Sequence, residues 1–201
     1  DYYDVFADPA GSGRYGFLIA DASGHGPSAA VVVAMLHAIV AQLTFLPEPA
    51  ELLEEINRRL FSRRIGNSFV TALAGVYDPR NATMRLSGAG HPHPMLRRGG
   101  TVAEVMIEGG PRLGILDKVG SETIETLLAP EDTLLLYTDG VSEGMTMDHQ
   151  LFGVERIRDA LLHAPQGAQG ALDAVNAALK AHIGHAKPSD DQTMLAVRRR
   201  A

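Results

Sequence analysis

Six aspartates occupy positions from which this chain could do chemistry. Asp21 closes an apolar run and enters the turn Ala22-Ser23-Gly24-His25-Gly26. Asp139 closes a second apolar run, Leu134 to Thr138, and is followed by Gly140. Asp190 and Asp191 lie just ahead of Gln192-Thr193, and Asp1 and Asp4 flank a tyrosine pair. A carboxylate at a strand end, beside glycines that let backbone come close, is where a hard cation or a phosphate sits. If four of these acids met, each pair at roughly 4–5 Å would repel by about 3–4 kcal/mol at an effective dielectric near 20, so the cluster would persist only with cations. Oxygen-only ligands select Mg²⁺ or Mn²⁺ over zinc, and a two-metal site suits displacement at phosphorus. Spacing alone leaves a second reading open, in which these are turn-forming aspartates that cap helices and start turns.

Other chemistries have weaker support. His91 and His93 form a His-X-His pair and His25 lies in a glycine turn, a set that could imitate a zinc hydrolase. Proline on both sides of His93 makes that segment a rigid turn, and a metal-dependent barrel needs about 250 residues. His37 reads as a core or helix-surface histidine. Gly11-Ser12-Gly13 is not followed by Gly-Lys-Ser/Thr, so it is a hairpin turn and not a P-loop. No Gly-X-Ser-X-Gly elbow is present, and Ser23 follows a strand that ends on Asp21, which argues against a serine hydrolase.

The elements that must carry these residues follow from periodicity and turn chemistry. Strands are expected over 1–6 and 14–20, joined by the Pro-, Gly- and Ser-rich turn 8–13. A helix starts at Pro27-Ser28 and runs to about Phe45, where Pro47 and Pro49 break the pattern. A second runs from about Ala50 to Arg64, with Leu52, Leu53, Ile56 and Leu60 on one face, acids early and arginines late. Strands follow at 69–77, 83–87, 95–97, 102–107, 122–128 and 133–138. Helices are expected over about 154–163 and 168–183, a last strand over 193–197, and the Arg198-Arg199-Arg200 end as a solvated tail. This order lacks the regular alternation of a parallel sheet and fits α+β, with antiparallel sheets and helices outside them.

Composition bounds the partners. The 201 residues make one domain by length, with 45% hydrophobic and 21% charged residues. A net charge of −6 with no basic groove argues against nucleic acid, and the lack of cysteine excludes disulfides and zinc–sulfur sites. The run from Ala29 to Leu43 is too short to span a bilayer and reads as a buried helix. The chain opens on Asp1 with no leader and no starting methionine, as expected of a C-terminal fragment whose first strand is truncated.

Taken together and in order, the motifs resemble the PPM-type metal-dependent protein serine/threonine phosphatase superfamily, in its bacterial SpoIIE-like branch of sporulation and stress-response phosphatases. Asp1-Tyr2-Tyr3-Asp4 looks like the family's Gly-Gly-Asp-Tyr-Tyr-Asp opening without its glycines. Asp21-Ala22-Ser23-Gly24-His25-Gly26 looks like its Asp-X-Ser-Gly-Lys/His-Gly turn. Phe69-Val70-Thr71-Ala72, Ser87-Gly88-Ala89-Gly90-His91-Pro92, Tyr137-Thr138-Asp139-Gly140-Val141-Ser142-Glu143 with Phe152-Gly153, and Asp190-Asp191-Gln192-Thr193 resemble its later blocks. Each is weak alone; the ordered set covers nearly the whole chain.

The resemblance implies an α-β-β-α sandwich of two antiparallel sheets flanked by helix pairs, with two divalent cations, Mn²⁺ or Mg²⁺, at one end between the sheets. By motif position the metal ligands are Asp1, Asp21, the Ala22 carbonyl, Asp139 and Asp190, and Asp21, Asp139 and Asp190 carry catalysis. Asp4 and Asp191 are second choices, behind the metals or as turn anchors. The implied reaction is in-line attack of water on a phosphoserine or phosphothreonine, with no covalent phosphoenzyme. The implied substrate is a phosphorylated STAS-type anti-anti-sigma protein in partner-switching control of transcription. The setting is the bacterial cytoplasm, downstream of a sensor, receiver or membrane module, with a homodimer compatible and no membrane contact by this domain. Two alternatives are a catalytically inactive regulatory domain of the same fold and a two-metal hydrolase of small phosphoesters. Type 2C relatives carry a histidine where Ser23 stands and a phosphate-binding arginine near the N-terminus; neither has a counterpart here, although Arg14 is nearby. The helices over 27–45 and 50–64 are a candidate control element, because the first of them leaves directly from the Asp21 turn.

Overall fold

The computed structural model describes residues 1–63 and 68–200. The chain forms two compact units, Asp1–His91 with Ile107–Leu127, and Pro92–Met106 with Leu128–Ala201. Arg64, placed above at the end of the second helix, lies outside the described residues.

The first unit is built on an antiparallel sheet in the order β1-β2-β3-β4-β7. Its strands are β1 (Tyr2–Ala7), β2 (Tyr15–Ala22), β3 (Val70–Asp78), β4 (Thr83–Ala89) and β7 (Ile124–Leu127). β2 and β3 are interior strands, buried almost throughout, which is why both read as apolar runs and not as alternating ones. On one face, Leu18, Ala20, Ala22, Val70, Ala72 and Ala74 join one core with residues of α1 (Pro27–Ala41) and α2 (Pro49–Arg63). α1 begins with proline in its first turn after Gly26, and it buries Val32, Leu36, Ile39 and Val40. α2 has Glu51 in its first turn and Arg63 in its last.

α1 stops at Ala41, four residues before the expected end. The cause is tertiary. The Gln42 and Leu43 N–H groups tighten onto Ile39 and Val40 carbonyls, and Leu46 then turns inward, 3% exposed, with its N–H donating to Asp8 Oδ1 at 2.9 Å.

The second unit carries the sheet β6-β5-β8-β9, again antiparallel. Its strands are β5 (Met95–Arg98), β6 (Thr101–Glu104), β8 (Thr133–Tyr137) and β9 (Met194–Arg198). Leu135 and Tyr137 join a core with Ile157 and Leu161 of α4 (Gly153–Leu162) and with Val175 and Leu179 of α5 (Ala168–Ile183). Arg97 is buried and donates to the carbonyls of Leu161, Ala164 and Pro165, at 3.1, 2.8 and 3.3 Å, satisfying the open C-terminal end of α4. A one-turn helix, α3 (Asp139–Ser142), was not expected from the sequence.

The basic end is not a solvated tail. Arg198 belongs to β9 and pairs with Glu131, and Arg199 Nη1 donates to the Leu128 carbonyl at 2.7 Å. The Arg199 backbone also exchanges hydrogen bonds with Glu131 and Asp132. Among the described residues, no helix is long and apolar enough to cross a membrane.

Candidate active site

The first unit places Asp1 and Asp21 side by side. Tyr2 pairs with Ala20 in the antiparallel ladder, so one step further along that register Asp1 stands across from Asp21. Alternation assigns both to one face: Leu18, Ala20 and Ala22 go to the helix-side core, and Asp21 points to the opposite side. Residues directly opposite in such a pair have Cβ atoms about 5 Å apart, close enough for both carboxylates to grip one cation. The same alternation puts Asp4 on the other face, with Tyr2. There its Oδ2 accepts the Tyr2 hydroxyl at 3.0 Å and its Oδ1 the Val5 N–H at 2.8 Å. Burial, then that hydrogen bond, pushes the Tyr2 hydroxyl pKa well above its ordinary value.

The turn after Asp21 is held by a two-way clamp. Ser23 N–H donates to the Phe69 carbonyl and the Phe69 N–H donates to Ser23 Oγ, both at 2.9 Å. The clamp carries the β2–β3 ladder past Ala22 and fixes the peptide whose carbonyl was named as a ligand. Gly24 and Gly26 follow with φ of 83° and 82°, the left-handed region that glycine reaches without a Cβ penalty. His25 is exposed, and His91 uses Nδ1 in a 2.9 Å hydrogen bond with Thr71 Oγ1. Arg14 is not placed to bind phosphate at Asp21: it lies at the far end of β2, roughly 20 Å along the strand, and pairs with Asp8 and Glu48.

The second unit brings Asp139 and Asp190 together by a parallel device. Thr138 N–H donates to the Thr193 carbonyl at 3.0 Å, and Thr193 N–H donates to Thr138 Oγ1 at 3.1 Å. Asp139 then opens α3, its carboxylate in the positive first turn. Gly140 lies directly beneath the Asp190-Asp191 segment: a Cβ on Gly140 would fall 2.0 Å from the Asp191 carbonyl oxygen and 3.4 Å from Asp190 Cβ. The Asp191 N–H donates to Asp190 Oδ1 at 2.8 Å, holding that carboxylate. The two hydroxyl clamps were not anticipated. Their only trace in the sequence is a serine or threonine within two residues of an aspartate that ends a strand.

Among the described residues, no group of three or more His, Asp or Glu side chains is gathered closely enough to hold a metal. The named ligands divide as Asp1, Asp21 and the Ala22 carbonyl in one unit, and Asp139 and Asp190 in the other. As a donor set they fit hard divalent cations: every member is an oxygen, at a strand end, in a first helical turn or, for Asp190, in the bend ahead of β9.

Residues 11–200 match the family described as stage II sporulation protein E (SpoIIE). The chain is 27% identical over 135 residues to the phosphoserine phosphatase RsbP of Bacillus subtilis, covering 65% of this chain and 34% of RsbP. It superposes on the RsbU and RsbW domains of Rv1364c from Mycobacterium tuberculosis with a TM-score of 0.81 at 25% identity, covering 100% of this chain and 56% of that one. It superposes on the SiaA-PP2C domain of Pseudomonas aeruginosa with a TM-score of 0.83 at 24% identity, covering 98% of this chain and 79% of that one. The chain spans 21–34% of the length of the curated relatives it matches. The α+β fold expected from the sequence is thus the PP2C-type phosphatase fold. With the match running over almost its full length, the chain belongs to the SpoIIE family.

Proposed function

We propose that this chain is a metal-dependent phosphatase of phosphoserine and phosphothreonine in a protein substrate. The observation that carries the reading is the pairing of carboxylates, Asp1 across the β1–β2 register from Asp21 and Asp139 near Asp190, in a member of the SpoIIE family. Asp1, Asp21, the Ala22 carbonyl, Asp139 and Asp190 hold two divalent cations, Mn²⁺ or Mg²⁺, and Asp4 and Asp191 brace β1 and the Asp190 loop. When bound, the cations supply a lowered pKa for the attacking water and neutralise charge on the phosphoryl oxygens.

The chain's own residues fix the geometry. The Ser23–Phe69 and Thr138–Thr193 clamps hold the peptides that carry Asp21 and Asp139, so the carboxylates are set before substrate arrives. Water forms the new bond to phosphorus as the bond to the serine oxygen breaks. A serine hydroxyl is no stronger an acid than the leaving alcohol, so Ser23, whose Oγ accepts the Phe69 N–H, is not the acid and the leaving alkoxide takes its proton from solvent.

The natural substrate in this reading is a small phosphorylated STAS-type anti-anti-sigma protein, and control comes from a sensor or receiver module in a longer protein. The likeness to RsbP supports the serine specificity. The test is phosphate release from phosphoserine, phosphothreonine and phosphotyrosine peptides in Mn²⁺ and in EDTA. Release from the first two that EDTA abolishes supports the reading; release unaffected by EDTA, or none with Mn²⁺, overturns it.

A further inference from the structure

Arg112 lies on the segment between β6 and β7, and its backbone is pinned on both sides. Gly110 N–H donates to the Gly88 carbonyl at 3.0 Å, and Leu113 exchanges two hydrogen bonds with Val70, at 2.8 and 3.0 Å. The side chain crosses Gly90, whose φ is 65° and where a Cβ would fall 2.6 Å from Arg112 Cγ. Its guanidinium carbon then sits 4.8 Å from the centroid of the Phe69 ring. Stacking on an aromatic face holds a guanidinium without consuming its five donors. Among the described residues no carboxylate forms an ion pair with Arg112, although the chain is acidic overall.

The placement is informative. Phe69 is the partner of Ser23 in the clamp, and Asp21 pairs with Thr71, so Phe69 is the diagonal neighbour of Asp21 across the β2–β3 pair. Val70 and Ala72 face the helix-side core, so Phe69 and Thr71 share the Asp21 face. Diagonal neighbours are about 7–8 Å apart. A pinned cation with open donors therefore stands beside the Asp1–Asp21 pair, on their side of the sheet, within the reach of one phosphorylated side chain.

We propose that Arg112 is a substrate-binding residue that grips anionic oxygens of the phosphorylated chain arriving at Asp21, a role resting on the phosphatase reading above. The oxygens belong to the phosphoryl group itself or to an acidic side chain flanking it; a guanidinium fork suits both.

The test uses Arg112→Met, which keeps the stem over Gly90 without the charge, and Arg112→Lys, which keeps the charge. Substrates are p-nitrophenyl phosphate and phosphoserine peptides with acidic or neutral flanks. Arg112→Met is expected to raise KM about tenfold or more with kcat changed much less, and Arg112→Lys to recover part of the loss. Mn²⁺ affinity by calorimetry should be unchanged. A KM rise on all substrates assigns the contact to the phosphoryl group; a rise confined to the acidic peptide assigns it to the flank. Unchanged KM on every substrate overturns the proposal. Inactive wild-type protein would instead count against the phosphatase reading. In that case, binding of a non-hydrolysable phosphonate peptide still decides: weaker binding by Arg112→Met supports the role, and equal binding rejects it.

Discussion

Gly140 and Asp191 approach so closely that a single added methyl group would lie 2.0 Å from the Asp191 carbonyl oxygen. The contact sets Asp139, which opens α3, next to the loop carrying Asp190. Backbone cannot yield here as a flexible side chain would, so Gly140→Ala must push the two segments apart. The expected result is a loss of about 1–3 kcal/mol of stability by denaturant titration, with Mn²⁺ affinity falling alongside it. Unchanged stability and affinity would mean the loop moves freely and does not position Asp190.

The Ser23–Phe69 clamp gives a second prediction. Ser23→Ala leaves the Phe69 N–H without its acceptor, at a cost of about 1–2 kcal/mol. If Ser23 only positions the Asp21 turn, kcat falls modestly and the pH–rate profile keeps its shape. A fall in kcat of about a hundredfold or more at unchanged Mn²⁺ affinity would instead place the Ser23 hydroxyl in the reaction itself.

Much of this was legible in the sequence because it depends on local signals. The Asp21 and Asp139 turns follow from apolar strands meeting glycine, and the β1–β2 pair from a Pro-Gly-Ser turn between two such runs. The parts that were not legible depend on partners distant in the chain. α1 ends early because Leu46 docks on Asp8, 38 residues away. The terminal arginines read as a tail because nothing nearby in sequence reveals Glu131 or the Leu128 carbonyl. Arg14 is near the N-terminus in sequence, and its pairing with Glu48, 34 residues on, is visible only in the fold. Ile56 and Leu60, on the proposed control helix, are core residues at 0% and 7% exposure, so replacing them would unsettle the fold before it altered any signal.

Acid sensitivity should trace in part to the β3–β4 turn. Hydrogen bonds from the Arg80 side chain, at 2.9 and 2.6 Å, together with its backbone N–H, hold the Asp78 carboxyl down at about 2. An unfolded aspartate titrates near 3.9. Because the folded value is the lower one, this contribution is complete above about pH 4 and is lost as pH falls toward 2. Asp78→Asn is expected to flatten that part of the stability curve, read as the urea midpoint at pH 5 and at pH 3. An equally steep fall in the variant would assign the acid sensitivity to other groups. Asp8 is the first of these, its carboxyl also held low, chiefly by the Ser12 hydroxyl and then by the Ala10 and Leu46 N–H groups.

The proposed roles of Asp21 and Asp139 as cation ligands for phosphate release are tested most directly by changing each in turn. Phosphate release from a phosphoserine peptide would be measured with Mn²⁺ for the wild-type chain, Asp21→Asn and Asp139→Asn, with Mn²⁺ binding followed by calorimetry on the same samples. Removing a direct ligand should cost more than the 10–100-fold typical of an outer hydrogen-bond partner, so release is expected to fall by about a hundredfold or more in both variants, with weakened Mn²⁺ binding. Full activity in either variant would contradict the account, because the cations would then be held without that carboxylate.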